Sequence, residues 1–271
     1  MMTILAAVFD IDGTLAMMDK DSGTYTALPG AVQALKTLSA RMPVVAYTNG
    51  TFFPPAHYYP LLAAAGLHLA QGHILTPATV AAHSLARKYR RIMVLGAEGT
   101  KAPLREAGIE VVDAVPGAGK VEAVLIGWTK DFGAADLEAA AQAVWAGAPV
   151  YATSVAPYFA SAKGRMLGIS GAIAAALHNA TGSKAAVFGK PETAGLDIVA
   201  ALTGIAAADM AVIGDDPRLE ILMARRAGAL AIGVTTGIAD AEAFSAMPPD
   251  QRAHHVIASL DGLANKDWFA Q

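Results

Sequence analysis

The sequence predicts an open, doubly wound parallel α/β sheet into which a second α/β unit is inserted. Short apolar runs each end on a cluster of polar residues, helical segments alternate with these runs, and the alternation restarts midway along the chain behind a fresh helix cap. Residues 5–10 read as the first strand, followed by a polar hairpin-like segment around 19–24, a helix over 31–39, a strand over 44–48 and a helix through 61–65. Thr76 and Pro77 then cap a new helix that runs to about Arg87, the hydroxyl serving the first amides and the proline being preset for the first turn. Strands follow at 92–95, 121–126 and 150–153, between helices near Thr100, at 136–146 and at 170–178. Residues 179–183, Asn-Ala-Thr-Gly-Ser, form the return linker. The expected organisation is a core of residues 1–75 plus 184–271 and an inserted α/β cap of 76–183, joined by two crossings of the chain that can act as a hinge.

Chemistry concentrates at four strand ends. The first run stops on Asp10-Ile11-Asp12-Gly13-Thr14, two carboxylates two positions apart where a buried strand emerges. In extended backbone such residues point to one side, so both can flank one ligand, one as nucleophile and the other as acid and base. Gly13 suits an unusual backbone turn, and the Thr14 hydroxyl is placed to brace it. Alone, the pentapeptide equally fits an Asx turn closing a strand. Three further strand ends change that: Val44 to Tyr47 ends on Thr48-Asn49-Gly50-Thr51, Ala185 to Phe188 on Gly189-Lys190-Pro191, and Met210 to Ile213 on Gly214-Asp215-Asp216, with Glu220 just beyond. The carboxyl edge of an open parallel sheet is where ligands bind.

With these motifs the chain resembles the haloacid dehalogenase-like phosphatases, in the branch typified by NagD-like, p-nitrophenyl and phosphoglycolate phosphatases with a large cap. The resemblance spans nearly the whole chain. It departs from the family pattern at Gly50, at Glu220 where an Asp is usual, and at Ser154-Val155-Ala156 in place of an Asn-Pro-Asp segment. The resemblance implies a Rossmann-like catalytic core and hydrolysis of a small phosphate monoester through an aspartyl phosphate on Asp10, with Asp12 as acid and then base. It also implies Mg2+ held by the Asp10 carboxylate, the Asp12 carbonyl and Asp215, with Asp216 or Glu220 in its outer shell. Lys190, Thr48 and Asn49 would hold phosphate, and Lys190 would keep Asp10 ionised. Specificity is expected from the cap, at residues 154–165, where Tyr158, Phe159, Lys163 and Arg165 are offered. Two alternatives stand beside this reading: a phosphotransferase or phosphomutase of the same superfamily, and a non-enzymatic phosphoacceptor module.

Composition narrows the classes. The 271 residues are 54% hydrophobic, with ample core material and no uninterrupted apolar run of bilayer length. The N-terminus has no basic segment and no cleavage pattern, so a cytoplasmic protein is expected. Zero cysteines remove disulfides, thiolate zinc sites and a cysteine nucleophile. A net charge of −3 without a basic cluster points away from nucleic acid, leaving a small phosphorylated metabolite as the expected partner and self-association open. Gly117-Ala118-Gly119-Lys120 lacks the spacing of a phosphate loop and reads as a loop before a strand. His254-His255 reads as surface, Arg87 to Arg91 as a solvated helix end, and the scattered Trp128, Trp145 and Trp268 as core or interface.

Overall fold

A computed structural model describes residues 4–19, 21–161 and 164–269, without the side chains of residues 159–161 and 164–165. In chain order the elements are β1 (Ala6–Phe9), β2 (Ala16–Met18), β3 (Tyr25–Ala27), α1 (Ala31–Ser39), β4 (Val44–Tyr47), α2 (Pro55–Ala64) and β5 (Ile74–Leu75). Next come α3 (Pro77–Leu85), β6 (Arg91–Leu95), α4 (Glu98–Glu106), β7 (Glu110–Asp113), β8 (Ala123–Ile126), α5 (Ala134–Trp145) and β9 (Val150–Ala152). The chain continues through β10 (Tyr158–Ser161), β11 (Gly164–Leu167), α6 (Ile169–Thr181) and β12 (Ala186–Val187). It closes with α7 (Ala194–Thr203), β13 (Met210–Gly214), α8 (Leu222–Ala227), β14 (Leu230–Val234), α9 (Ala241–Ser245) and β15 (His255–Ile257).

Two compact units result. One gathers the chain up to Thr48, then His57–Leu75 and everything from Lys190 onward; the other holds Asn49–Ala56 and Thr76–Gly189. The first unit is built on a six-stranded sheet ordered β15-β14-β13-β1-β4-β5, with every adjacent pair parallel. Its central strands β1, β4 and β13 are buried along their whole length, which is why they read as unbroken apolar runs rather than alternating ones. The register sets Phe9 beside Ile213 and Ala46, so all three strands release their polar residues at one edge. Helix α1 buries Ala31, Ala34, Leu35 and Leu38, the spacing of one helical stripe.

The second unit has its own five-stranded parallel sheet, β12-β9-β8-β6-β7. Thr76 and Thr79 cap α3 reciprocally, each side chain accepting from the other's backbone amide, and the helix stops at Leu85 rather than Arg87. Two expectations are corrected here. Residues 179–181 are not linker but the last turn of α6, which ends where Gly182 adopts φ 75°. The run before Lys190 is not a strand of the first unit's sheet. Strand β12 pairs with β9, and the Phe188 amide donates to the Ala152 carbonyl, so the chain stays in the second unit up to Gly189 rather than returning at 184. The 154–165 segment holds β10 and the start of β11, which pair antiparallel from Tyr158 with Leu167 to Ser161 with Gly164.

Gly30 ties the ends of the first unit together. Its φ of 79° suits glycine, and a Cβ there would stand 2.2 Å from the Asp261 amide nitrogen and 2.3 Å from the Leu260 carbonyl carbon. Both obstacles are backbone. Gly30→Ala should therefore lower stability by more than the ~1 kcal/mol of the left-handed backbone alone, read as a shifted urea midpoint at unchanged slope.

Candidate active site

The first unit brings its charged strand-end residues to one place. Among the described residues, the buried charged side chains are Asp10, Lys190, Asp215 and Glu220, and no others. Asp10 leaves β1 with its amide donating to the Ile213 carbonyl at 2.9 Å. Lys190 Nζ forms an ion pair with Asp10 Oδ1 and reaches Glu220 Oε1 at 2.5 Å and the Tyr47 carbonyl at 2.9 Å. The ammonium also lies 5.5 Å from the centre of the Tyr47 ring. Asp215 follows β13, and its Oδ2 accepts from the Ile238 amide at 2.8 Å. Asp12 is exposed at the same edge.

Three buried carboxyl groups thus share one buried ammonium, so that their full ionisation would leave an excess of two negative charges. Burial raises the Asp10 carboxyl well above its ordinary range, opposed by Lys190 and reinforced by Glu220, Asp215 and Asp12. Burial and the Glu220 charge push Asp215 up to about 7. Burial works against the Lys190 ammonium, but Asp10 and Glu220 outweigh it and hold the lysine protonated. Two of these carboxylates, Asp10 and Asp215, lie near enough to raise one another and are the hard oxygen donors that suit a divalent cation keeping most of its water. The walls are close. A Cβ on Gly13 would lie 2.4 Å from Asp215 Oδ2, and one on Gly237 1.9 Å from it.

The structure separates two roles that the sequence leaves joined. Glu220 has both oxygens committed, Oε1 to Lys190 and Oε2 to the Asp216 amide at 3.1 Å. It reaches them because Pro217–Ile221 forms a π-helical turn and because Gly214 has no side chain; a Cβ there would stand 2.2 Å from Glu220 Cγ. Asp216 caps that turn through the Arg218 amide at 2.8 Å, and burial followed by the Glu220 charge raises its carboxyl. Thr48 is buried after β4, its amide donating to the Leu75 carbonyl at 3.2 Å. Asn49 is where the chain passes into the second unit. Tyr158 sits half-buried on β10, whereas the side chain of Arg165, together with Lys163, lies outside the described residues.

Some contributors carry a weaker signal. Thr14 does not brace the turn through its hydroxyl, which is buried without a hydrogen bond among the described residues. The Thr236 hydroxyl donates to the Gly13 carbonyl at 2.7 Å instead. Thr235-Thr236-Gly237 follows the apolar strand β14, and this fifth strand-end turn was the available clue. Tyr25 and Tyr58 are phenols raised by burial and further by the charge of Asp12.

A model of haloacid dehalogenase-like hydrolases matches residues 7–110, and a second, HAD-hydrolase-like model matches 187–263. Haloacid dehalogenase-like hydrolase domain-containing protein 2 of Bos taurus is 31% identical over 234 residues, 86% of this chain and 84% of that protein. The chain therefore belongs to the haloacid dehalogenase-like hydrolases and is an enzyme of that fold. Dihydroxyacetone phosphatase of Corynebacterium glutamicum is 27% identical over 94% of this chain and 89% of its own length. The match to rat chronophin, 30% identical, spans only 57% of that protein. Among solved structures, the glycerol phosphate phosphatase of Mycobacterium tuberculosis in complex with magnesium superposes with a TM-score of 0.83 at 28% identity, over 95% of this chain and 75% of that one. The 4-nitrophenylphosphatase of Thermotoga maritima shares the fold, with a TM-score of 0.86 over 97% of each chain at 24% identity.

Lys190→Met should cost about 3–5 kcal/mol in chelator-treated protein, because it leaves buried carboxylates uncompensated. The penalty belongs to carboxyls whose folded pKa is raised. It is therefore absent below the unfolded carboxyl value of about 4, grows as pH rises through it, and is full above the raised folded value. Urea titrations of both proteins across that range would show the difference widening with pH.

Proposed function

We propose that this chain is a Mg2+-dependent phosphatase that hydrolyses a small phosphate monoester through an aspartyl phosphate on Asp10. The observation that carries the reading is the buried cluster itself: a carboxylate at a strand end, gripped by a lysine that a second acid holds, with two negative charges left over. Such a site is built for an anionic ligand only when further positive charge joins it. Asp10, Asp215 and the Asp12 carbonyl would hold Mg2+, which neutralises charge so that a carboxylate and a phosphate can meet.

Asp10 Oδ attacks phosphorus and the bond to the leaving oxygen breaks, that oxygen taking a proton from Asp12. Water then attacks the phosphorus of the aspartyl phosphate, Asp12 takes its proton, and inorganic phosphate leaves Asp10 free. The exposure of Asp12, against the burial of Asp10, suits a group that must meet leaving group and water in turn. Lys190 offsets phosphate charge, and Thr48 with the Asn49 amide holds phosphate oxygens. Because Glu220 is committed to Lys190, the outer metal shell falls to Asp216. The dihydroxyacetone and glycerol phosphatases among the relatives put three-carbon phosphates first among candidate substrates. Discrimination among esters is assigned to residues 154–165, through Tyr158 and Arg165.

Asp10→Asn should fold normally, with melting within a few degrees of the parent, yet lose at least ~10³-fold in turnover of p-nitrophenyl phosphate. Normal turnover by this variant would contradict the reading. A second outcome separates the acids. Asp215→Asn should raise the Mg2+ concentration needed for half-maximal activity, whereas Glu220→Gln should lower kcat with that concentration nearly unchanged, since it touches the lysine and not the metal. Metal titrations of both variants decide it. For specificity, Tyr158→Phe and Arg165→Ala should change relative kcat/KM across triose, polyol and sugar phosphates while sparing p-nitrophenyl phosphate. An unchanged profile would move the specificity site elsewhere.

A further inference from the structure

The second unit gathers chemistry-bearing residues at one edge of its own sheet. In the order β12-β9-β8-β6-β7 the chain leaves β6 toward β7 on one side and resumes at β8 on the other. The carboxyl ends of β6 and β8 therefore flank a topological switch point, where open α/β sheets form a ligand crevice. A cavity of about 330 Å3 opens there, within the range of small-molecule sites. Gly96 and Ala97, Lys101, Asp113, Trp128 and Phe132 are the lining residues with chemistry to offer.

Helix α4 starts at Ala97, which has no side-chain oxygen to cap it, and Ala97 itself lines the cavity, so the positive end of the helix lies at its wall. Lys101 lies one turn further along the same helix. Asp113 ends β7, the strand that follows α4, and now accepts Lys101 at 2.5 Å while remaining exposed. Glycine follows both central strands. A Cβ on Gly96 would come 2.9 Å from Thr100 Cβ, and one on Gly127 would come 2.0 Å from Thr100 Oγ1. Thr100 fills the notch between them, and its hydroxyl, fully buried against the cavity's Gly96, has no hydrogen-bond partner among the described residues. Trp128 is held in plane by Phe52, the rings stacked at 3.5 Å.

We propose that this cavity binds a nucleoside 5′-monophosphate. A glycine-bearing strand-to-helix turn followed by an acid at the end of the next strand is the arrangement by which doubly wound sheets hold a ribose phosphate. The phosphate lies at the start of α4, where Lys101 swings to it from Asp113. The ribose diol donates to the Asp113 carboxylate so released, and the base lies along Trp128 and Phe132. No bond is made or broken, and the site is independent of the reaction at Asp10.

Calorimetric titration of adenosine 5′-monophosphate into the full-length Asp10→Asn protein tests this, the substitution preventing turnover of the probe. The expected result is one saturable site, weakened roughly tenfold by Lys101→Met and roughly tenfold by Asp113→Ala. The 2′-deoxy probe should bind roughly tenfold more weakly than the ribose probe in the parent, and equally to it in Asp113→Ala. Both substitutions are at solvent-reached side chains and leave the core intact. The proposal is overturned by no binding, by affinity that ignores both substitutions, which would place the nucleotide elsewhere on the protein, or by inorganic phosphate alone binding as tightly as the nucleotide, which would reduce the cavity to an anion site.

Discussion

The contact on which the first unit depends is the grip of Lys190 between Asp10 and Glu220. Burial works against this ammonium and against the two carboxylates that face it, and the ion pairs between them offset that cost. The Tyr47 carbonyl takes a third proton of the ammonium, so β4 helps to hold it too. The edge of one sheet, the π-turn after another strand and the first residue returning from the second unit are tied through a single nitrogen. Such a cluster is expensive unless it performs chemistry, which makes it a better guide to function than any one of its members.

The cluster is also unbalanced by design of its neighbourhood. Gly13 and Gly237 leave no room beside Asp215 except what the carboxylate already fills, and Gly214 leaves only the path that Glu220 takes. Burial and the Glu220 charge raise the Asp215 carboxyl to about 7, and the cation proposed between Asp10 and Asp215 would supply the positive charge that these glycine walls do not.

Much of this was legible in the residues. Asp10, Thr48 and Asp215 could be placed because β1, β4 and β13 are buried on both faces and stop abruptly, so unbroken apolar runs mark both the strands and their ends. Lys190 was found at the right edge for a partly wrong reason. Its two-residue strand β12 belongs to the second unit's sheet, and nothing in four apolar residues says which sheet they join. The family resemblance groups Glu220 with the metal. Only the π-turn and the absent side chain of Gly214 turn it toward the lysine, and neither is a pattern of residue types. The short strands β5 and β15, two and three residues long, fall below the length at which periodicity speaks. Helix α6 runs through Asn179 to Thr181 because tertiary packing and Gly182 outweigh the weak helix preference of those residues.

The central claim is that Asp10 carries the phosphoryl group between two displacements. Its most direct test is to quench the protein in acid during steady turnover of a phosphate ester, digest it and weigh the peptides. The account predicts a phosphoryl group on the peptide that contains Asp10, lost on incubation at neutral pH and convertible by borohydride to homoserine at that position. Sustained turnover with that peptide unmodified, or with the phosphoryl group on any other residue, would contradict it.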